Sequence, residues 1–130
     1  MIYTGYYAKI KEYESNGLVL VAISGKIPDG FNGIKYQKIA PKYIWWQKWH
    51  DEKMSDEWYI DKYYETVLNQ LNPNEVLNDL QKMGENIVLL CYETPEKFCH
   101  RHIFAKWLND KLGVNICEFE CKNIQQTFDF

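Results

Sequence analysis

No stretch of the sequence approaches the ~20 apolar residues that cross a bilayer, so no membrane partner is expected. Nor does it contain a C-x2-C pair, a Walker loop, a G-x-G-x-x-G turn, an H-E-x-x-H helix or a serine nucleophile elbow. These absences remove the usual zinc ribbons, P-loop and dinucleotide enzymes, zinc proteases and serine hydrolases. Excess positive charge is missing too: the net charge of −3 excludes a domain-wide electrostatic footprint for duplex nucleic acid. The polar start Met1–Lys11 has no signal-peptide core, which places the expected compartment in the cytoplasm. There the four cysteines, Cys91, Cys99, Cys117 and Cys121, are expected as reduced thiols. Their spacings suit no zinc site, so neither a metal nor a cofactor is expected.

What is present is globular. Hydrophobic residues make up 46% and charged residues 25%, enough to build a core in 130 residues and to rule out a disordered chain. One domain over residues 1–130 is the simplest division, since no linker or repeat interrupts the chain. Two runs, Leu18–Ile23 and Ile87–Cys91, are apolar throughout and rich in branched side chains. Such runs suit strands covered on both faces, and the two are predicted to be neighbouring central parallel strands. Ile2-Tyr3-Thr4 reads as a first strand, Ala8–Glu14 as a helix, and Val114–Phe119 as a last strand. Cys91 and Cys117 then fall at core positions.

Helix signals lie between these strands. Pro41 can open a helix through about Lys48. Ser55 caps one that carries Trp58, Tyr59, Tyr63, Val67, Leu68 and Leu71 on one stripe. Asn72-Pro73-Asn74-Glu75 opens another, ended by Gly84. A further helix runs from Cys99 to Leu112, with Gly113 as its stop. Ser24–Ala40, holding Gly25, Pro28, Gly30 and Gly33, reads as a long loop. Strands separated by helices predict an α/β fold: a three-layer Rossmann-like domain with a small, mostly parallel sheet flanked by helices. Ligands of such folds gather at the carboxyl ends of strands, where the chain after Cys91 would lie.

That segment carries the chemistry. Leu89-Leu90-Cys91-Tyr92-Glu93, then Phe98-Cys99-His100-Arg101, then Ala105-Lys106-Trp107-Leu108, together resemble the family called domain of unknown function 488 (DUF488). Tyr3-Thr4-Gly5-Tyr6, Ile23–Pro28 and Ala40-Pro41 extend the likeness over most of the chain, weakening after Glu118. The resemblance implies the fold and the site, and no particular reaction.

The residues argue in the same direction. A helix N-terminus favours anions, yet Lys97, His100, Arg101 and His102 crowd this one. An external anion gripped by Arg101 would reconcile the mismatch; so would an internal carboxylate such as Glu93 or Glu96. Cys99 and His100 precede Ile103 and Phe104 by four residues and are expected to face inward, whereas His102 and His50 are expected in solvent. A cysteine at a helix start beside His and Arg has the setting that favours a thiolate. Glu93, Cys99 and His100 are therefore the candidate catalytic residues and Arg101 the candidate anion-binding one. The spacing Cys91-x5-Lys97 echoes a phosphatase loop, but Lys replaces Arg and the glycines are missing.

The expected partner is a phosphate-containing small molecule or nucleotide. The alternative is a non-enzymatic module for single-stranded nucleic acid or a protein partner, through Trp45, Trp46 and Trp49 with Lys42, Lys48 and Lys53 interleaved, the Cys-His-Arg unit being purely structural. The same tryptophans could instead be the apolar face of a helix closing the sheet. Oligomeric state is not legible.

Overall fold

The computed structural model describes residues 1–120. Five strands form one parallel sheet in the order β3-β2-β4-β1-β5: β1 Ile2–Tyr6, β2 Val19–Ala22, β3 Ile34–Lys35, β4 Ile87–Cys91 and β5 Cys117–Glu118. All five residues of β4 are buried, as a continuous apolar run in the middle of a covered sheet requires. β2 lies beside it in parallel register, Val19 opposite Ile87 and Ala22 opposite Leu90. The pairing of the two apolar runs is therefore as the sequence predicts.

Alternation along these strands divides the core. Val21, Ile23, Ile87 and Leu89 face a large cluster with α2 (Tyr43–Asp51), α3 (Asp56–Thr66), α4 (Pro73–Gln81) and α5 (His100–Leu112). Leu20, Val88 and Leu90 face a smaller cluster under α1 (Ile10–Ser15), where Tyr13 is the main side chain. The outcome is three layers. Tyr13 lies so close to β1 that a Cβ on Gly5 would stand 2.5 Å from its hydroxyl oxygen, and that oxygen accepts the Tyr6 N–H at 3.1 Å.

Local chemistry sets the helix ends. Ser55 Oγ accepts the Trp58 N–H at 3.1 Å, and Asn72 Oδ1 accepts those of Asn74 and Glu75 at 2.9 and 3.3 Å. Gly113 ends α5 in the left-handed region at φ 68°, where a side chain would be strained.

Several boundaries differ from the sequence reading. Ser24–Ala40 is not all loop: it contains β3 and a 3-10 turn at Gln37–Ile39. β3 is two residues long and exposed on a sheet edge, so it carries no buried apolar run to announce it. The helix at Pro41 begins at Tyr43 and continues through His50 and Asp51. α1 starts late, at Ile10, after a 3-10 turn at Tyr7–Lys9. Leu68 leaves α3 for a 3-10 turn, Leu68–Gln70. The last strand shrinks to Cys117–Glu118, and Cys117 is exposed rather than core, because its edge position leaves that face uncovered. Cys121 and the tail after Glu120 lie outside the described residues.

Candidate functional site

The site grows from the end of β4. Cys91 has the same parity as Ile87 and Leu89, so its side chain faces α5. The chain loops through Tyr92–Phe98 and returns with Cys99 in extended conformation as the N-cap of α5. This brings the two sulfurs together as a Cys91–Cys99 disulfide. The expectation of reduced thiols is corrected here: residues eight apart in sequence meet because a strand end and a helix start converge, which spacing alone does not reveal. Cys99 makes no side-chain cap, its sulfur being bonded to Cys91.

The next three residues divide between three environments. His100 is buried and points inward, and its Nε2 lies 3.0 Å from the Ile23 carbonyl oxygen. A carbonyl only accepts, so Nε2 carries the proton and Nδ1 keeps a lone pair. That Nδ1 stands 4.0 Å from Cys99 Sγ. Burial pushes the His100 pKa down to about 4; the Ile23 hydrogen bond opposes the shift, and the charges of Arg101 and His102 reinforce it. The imidazole is neutral near pH 7.

Arg101 is completely buried. Its Nε and Nη2 donate to the two Glu118 carboxylate oxygens, both at 3.0 Å. Its Nη1 donates to the Glu93 carbonyl oxygen at 2.8 Å and to Cys91 Sγ at 3.1 Å. The anion that Arg101 grips is thus supplied by β5, and neither Glu93 nor Glu96 supplies it. Glu118 also accepts from Thr4 Oγ1 at 2.6 Å and lies 3.2 Å from His102 Nε2. Burial would raise the Glu118 pKa, but hydrogen bonds from His102, Arg101 and Thr4, with the Arg101 charge, hold it at about 2. His102 is half-exposed and paired rather than fully solvated. A signal for Glu118 was there to read: it shares a strand face with Ile116, a core residue, and an acid on a buried face needs a cation.

Beyond the carboxyl ends of β2 and β4 lies a cavity of about 810 Å³. Its inner end holds Cys91, Cys99 and His100; Trp46, Trp49, Tyr59 and Phe98 wall it, and Lys26, Glu93 and Lys97 bring charge. The Glu93 carboxylate is exposed and does not touch Arg101. The tryptophans separate: Trp45 is core and donates to Thr66 Oγ1 at 2.8 Å, while Trp46 and Trp49 face the cavity. His50 is surface-exposed as expected, stacked on Trp46 with centroids 5.2 Å apart. Sequence reasoning missed Lys26 and Tyr59, which come from separate elements and carry no motif.

The Cys91, Cys99 and His100 ligand atoms lie within 4.8 Å of one another, and three such donors could hold zinc. Two of them are joined as a disulfide here, so both sulfurs are open to an ion only when the pair is reduced.

Fold and site together define a parallel α/β protein with a cysteine at the end of its central strand and a Cys-His-Arg unit opening the following helix. The chain belongs to the DUF488 family: residues 13–112 match the family model described as the active DUF488-N3 subclade. The matched span includes Cys91, Glu93, Cys99, His100 and Arg101; Thr4 and Glu118 lie outside it. No curated protein and no solved structure matches the chain.

Proposed function

We propose that this protein binds a planar, anionic small molecule of the nucleotide class in the cavity beyond β2 and β4, in the cytoplasm. One observation carries the reading: a cavity of about 810 Å³ at the carboxyl edge combines an aromatic wall with two lysines. Cavities of this size, mostly apolar with a few convergent polar groups, are the usual form of small-molecule sites. Trp46 and Trp49 offer faces for a base, each such stack being worth roughly 1–3 kcal/mol. Lys26 and Lys97 would meet the phosphate. Arg101 serves indirectly, holding Cys91 and the Glu93 backbone in place. Once the Cys91–Cys99 bond is reduced, Cys99, the His100 lone pair and the Glu93 carboxylate are the groups that would act on what binds.

Adenosine monophosphate, adenosine and inorganic phosphate, compared by calorimetry and thermal shift, test this. The monophosphate is expected to bind and raise the melting temperature by mass action. Trp46→Ala and Lys97→Ala should each weaken it several-fold. A second reading rests on Tyr43, 68% exposed and stacked on Trp46 outside the core: an aromatic surface continuing out of the cavity would suit single-stranded nucleic acid. Binding of a short oligonucleotide with no response to any mononucleotide would replace the first reading with the second.

A further inference from the structure

We infer that Cys91 and Cys99 are a reversible dithiol–disulfide pair that exchanges with disulfides entering the cavity, Cys91 attacking and Cys99 resolving. The inference uses the cavity but not the identity of any nucleotide in it. Both cysteines line the cavity, so the bond forms part of its wall rather than a staple in sealed core. Each sulfur has its own auxiliary group. Cys91 Sγ receives an Arg101 Nη1 hydrogen bond at 3.1 Å, and a guanidinium does not lose its charge. Once the bond opens, that donor favours Cys91 as thiolate, the attacking form. Glu118 offsets part of the positive charge but also fixes the guanidinium, so Nη1 keeps its aim at sulfur. Cys99 has instead a proton acceptor, His100 Nδ1 at 4.0 Å, whose imidazole is locked by the Ile23 carbonyl. A pair with one sulfur favoured as thiolate and the other beside a hydrogen-bond acceptor is built to turn over.

The exchange balances as follows. Cys91 thiolate attacks one sulfur of R–S–S–R′; the Cys91–S–R bond forms and R′–S⁻ leaves, taking a proton from solvent. The Cys99 sulfur, within reach of His100 Nδ1, attacks Cys91 Sγ as its thiol gives up its proton. The Cys91–Cys99 bond forms and R–S⁻ leaves, taking up that proton. Two electrons pass from the dithiol to the incoming disulfide, which departs as two thiols. In a reducing compartment disulfides are usually transient of this kind.

The test uses the full chain carrying Cys117→Ser and Cys121→Ser, reduced, desalted and exposed to oxidised glutathione, then quenched with N-ethylmaleimide and weighed by mass spectrometry. The expected product is the internal disulfide, with no glutathione retained. Cys99→Ser should accumulate one glutathione adduct, mapped to Cys91, whereas Cys91→Ser should form little. In Cys99→Ser, alkylation of Cys91 at pH 6.5 should exceed that of a Cys117 reference peptide by at least about tenfold, as expected for a stabilised thiolate. If either variant fails to fold, wild-type crosslinking across a series of glutathione ratios decides alone. Two free thiols at every ratio would overturn the inference. So would one tightly held zinc per reduced chain that protects both thiols, since the cluster would then be a metal centre.

Discussion

The two sides of Arg101 are built on opposite principles. Toward β5, every polar group has a partner: Glu118 holds Arg101 bidentately and also meets Thr4 and His102. Toward β4 and α2, the groups face space: the Glu93 carboxylate and two lysines line an open cavity that reaches in to the His100 imidazole. One helix start thus serves as a pin on one side and a mouth on the other. The difference teaches that the cluster of cations at this helix end is two features superposed. Arg101 and His102 answer an internal acid, while Lys97 lines the cavity.

The sharpest way to break this comparison is to remove the acid. Glu118→Gln leaves Arg101 buried with its charge uncompensated, and breaking such a pair typically costs about 3–5 kcal/mol. Against a domain stability of about 5–15 kcal/mol, that loss should be plain in a urea titration. If the comparison holds, Trp46→Ala on the open side should cost far less stability while weakening the ligand. Equal stability losses at Glu118 and Trp46 would mean that the cavity wall is core, and the division would fail.

How much of this was legible depends on the length of the signal. β4 and β2 could be read because five or six consecutive apolar residues have few other uses. Asn72-Pro73 and Ser55 could be read because caps are local chemistry. β3 could not, since two exposed edge residues bury nothing. Cys99, His100 and Arg101 were placed at the correct helix start, and the inward turn of His100 followed from helical periodicity. The partner of Arg101 did not, because Glu118 reaches it through sheet order: β5 lies beside β1, and strand order is not written in local pattern. The disulfide escaped for the same reason, as the meeting of a strand end and a helix cap depends on how the intervening loop returns.

A pH series sharpens the comparison further, because both sides contain a shifted group. His100 is held neutral with its pKa at about 4, so the unfolded chain takes up a proton first as pH falls below about 6.5. Stability therefore declines from about pH 6.5 to 4, by about 3 kcal/mol for this group alone. Glu118, depressed to about 2, contributes stability above its unfolded pKa that is lost as pH falls through about 4.5 toward 2. The two windows overlap only between about pH 4.5 and 4. His100→Gln, which preserves a donor for the Ile23 carbonyl, should flatten the upper window and leave the lower one. Urea midpoints measured from pH 7 to 3 on both proteins check this. An unchanged slope between pH 6.5 and 5 in the variant would show that His100 does not titrate as its burial implies.

The smallest effect is expected at His102, and it tests the inner structure of the pinned side. Two side chains share the Glu118 carboxylate, but they are not equivalent. Arg101 is wholly buried and makes two parallel bonds, whereas His102 is 37% exposed and makes one contact at 3.2 Å. Water and salt screen the second far more than the first, and partly exposed pairs are usually worth about 0–1 kcal/mol. His102→Ala should therefore lower stability by less than about 1 kcal/mol, and by less still in high salt. Glu118 keeps Arg101 and Thr4 in the variant, so the carboxylate stays satisfied and the guanidinium keeps its aim at Cys91. A loss approaching that of Glu118→Gln would mean that the carboxylate depends on both side chains at once, and the pin would then extend to the helix surface.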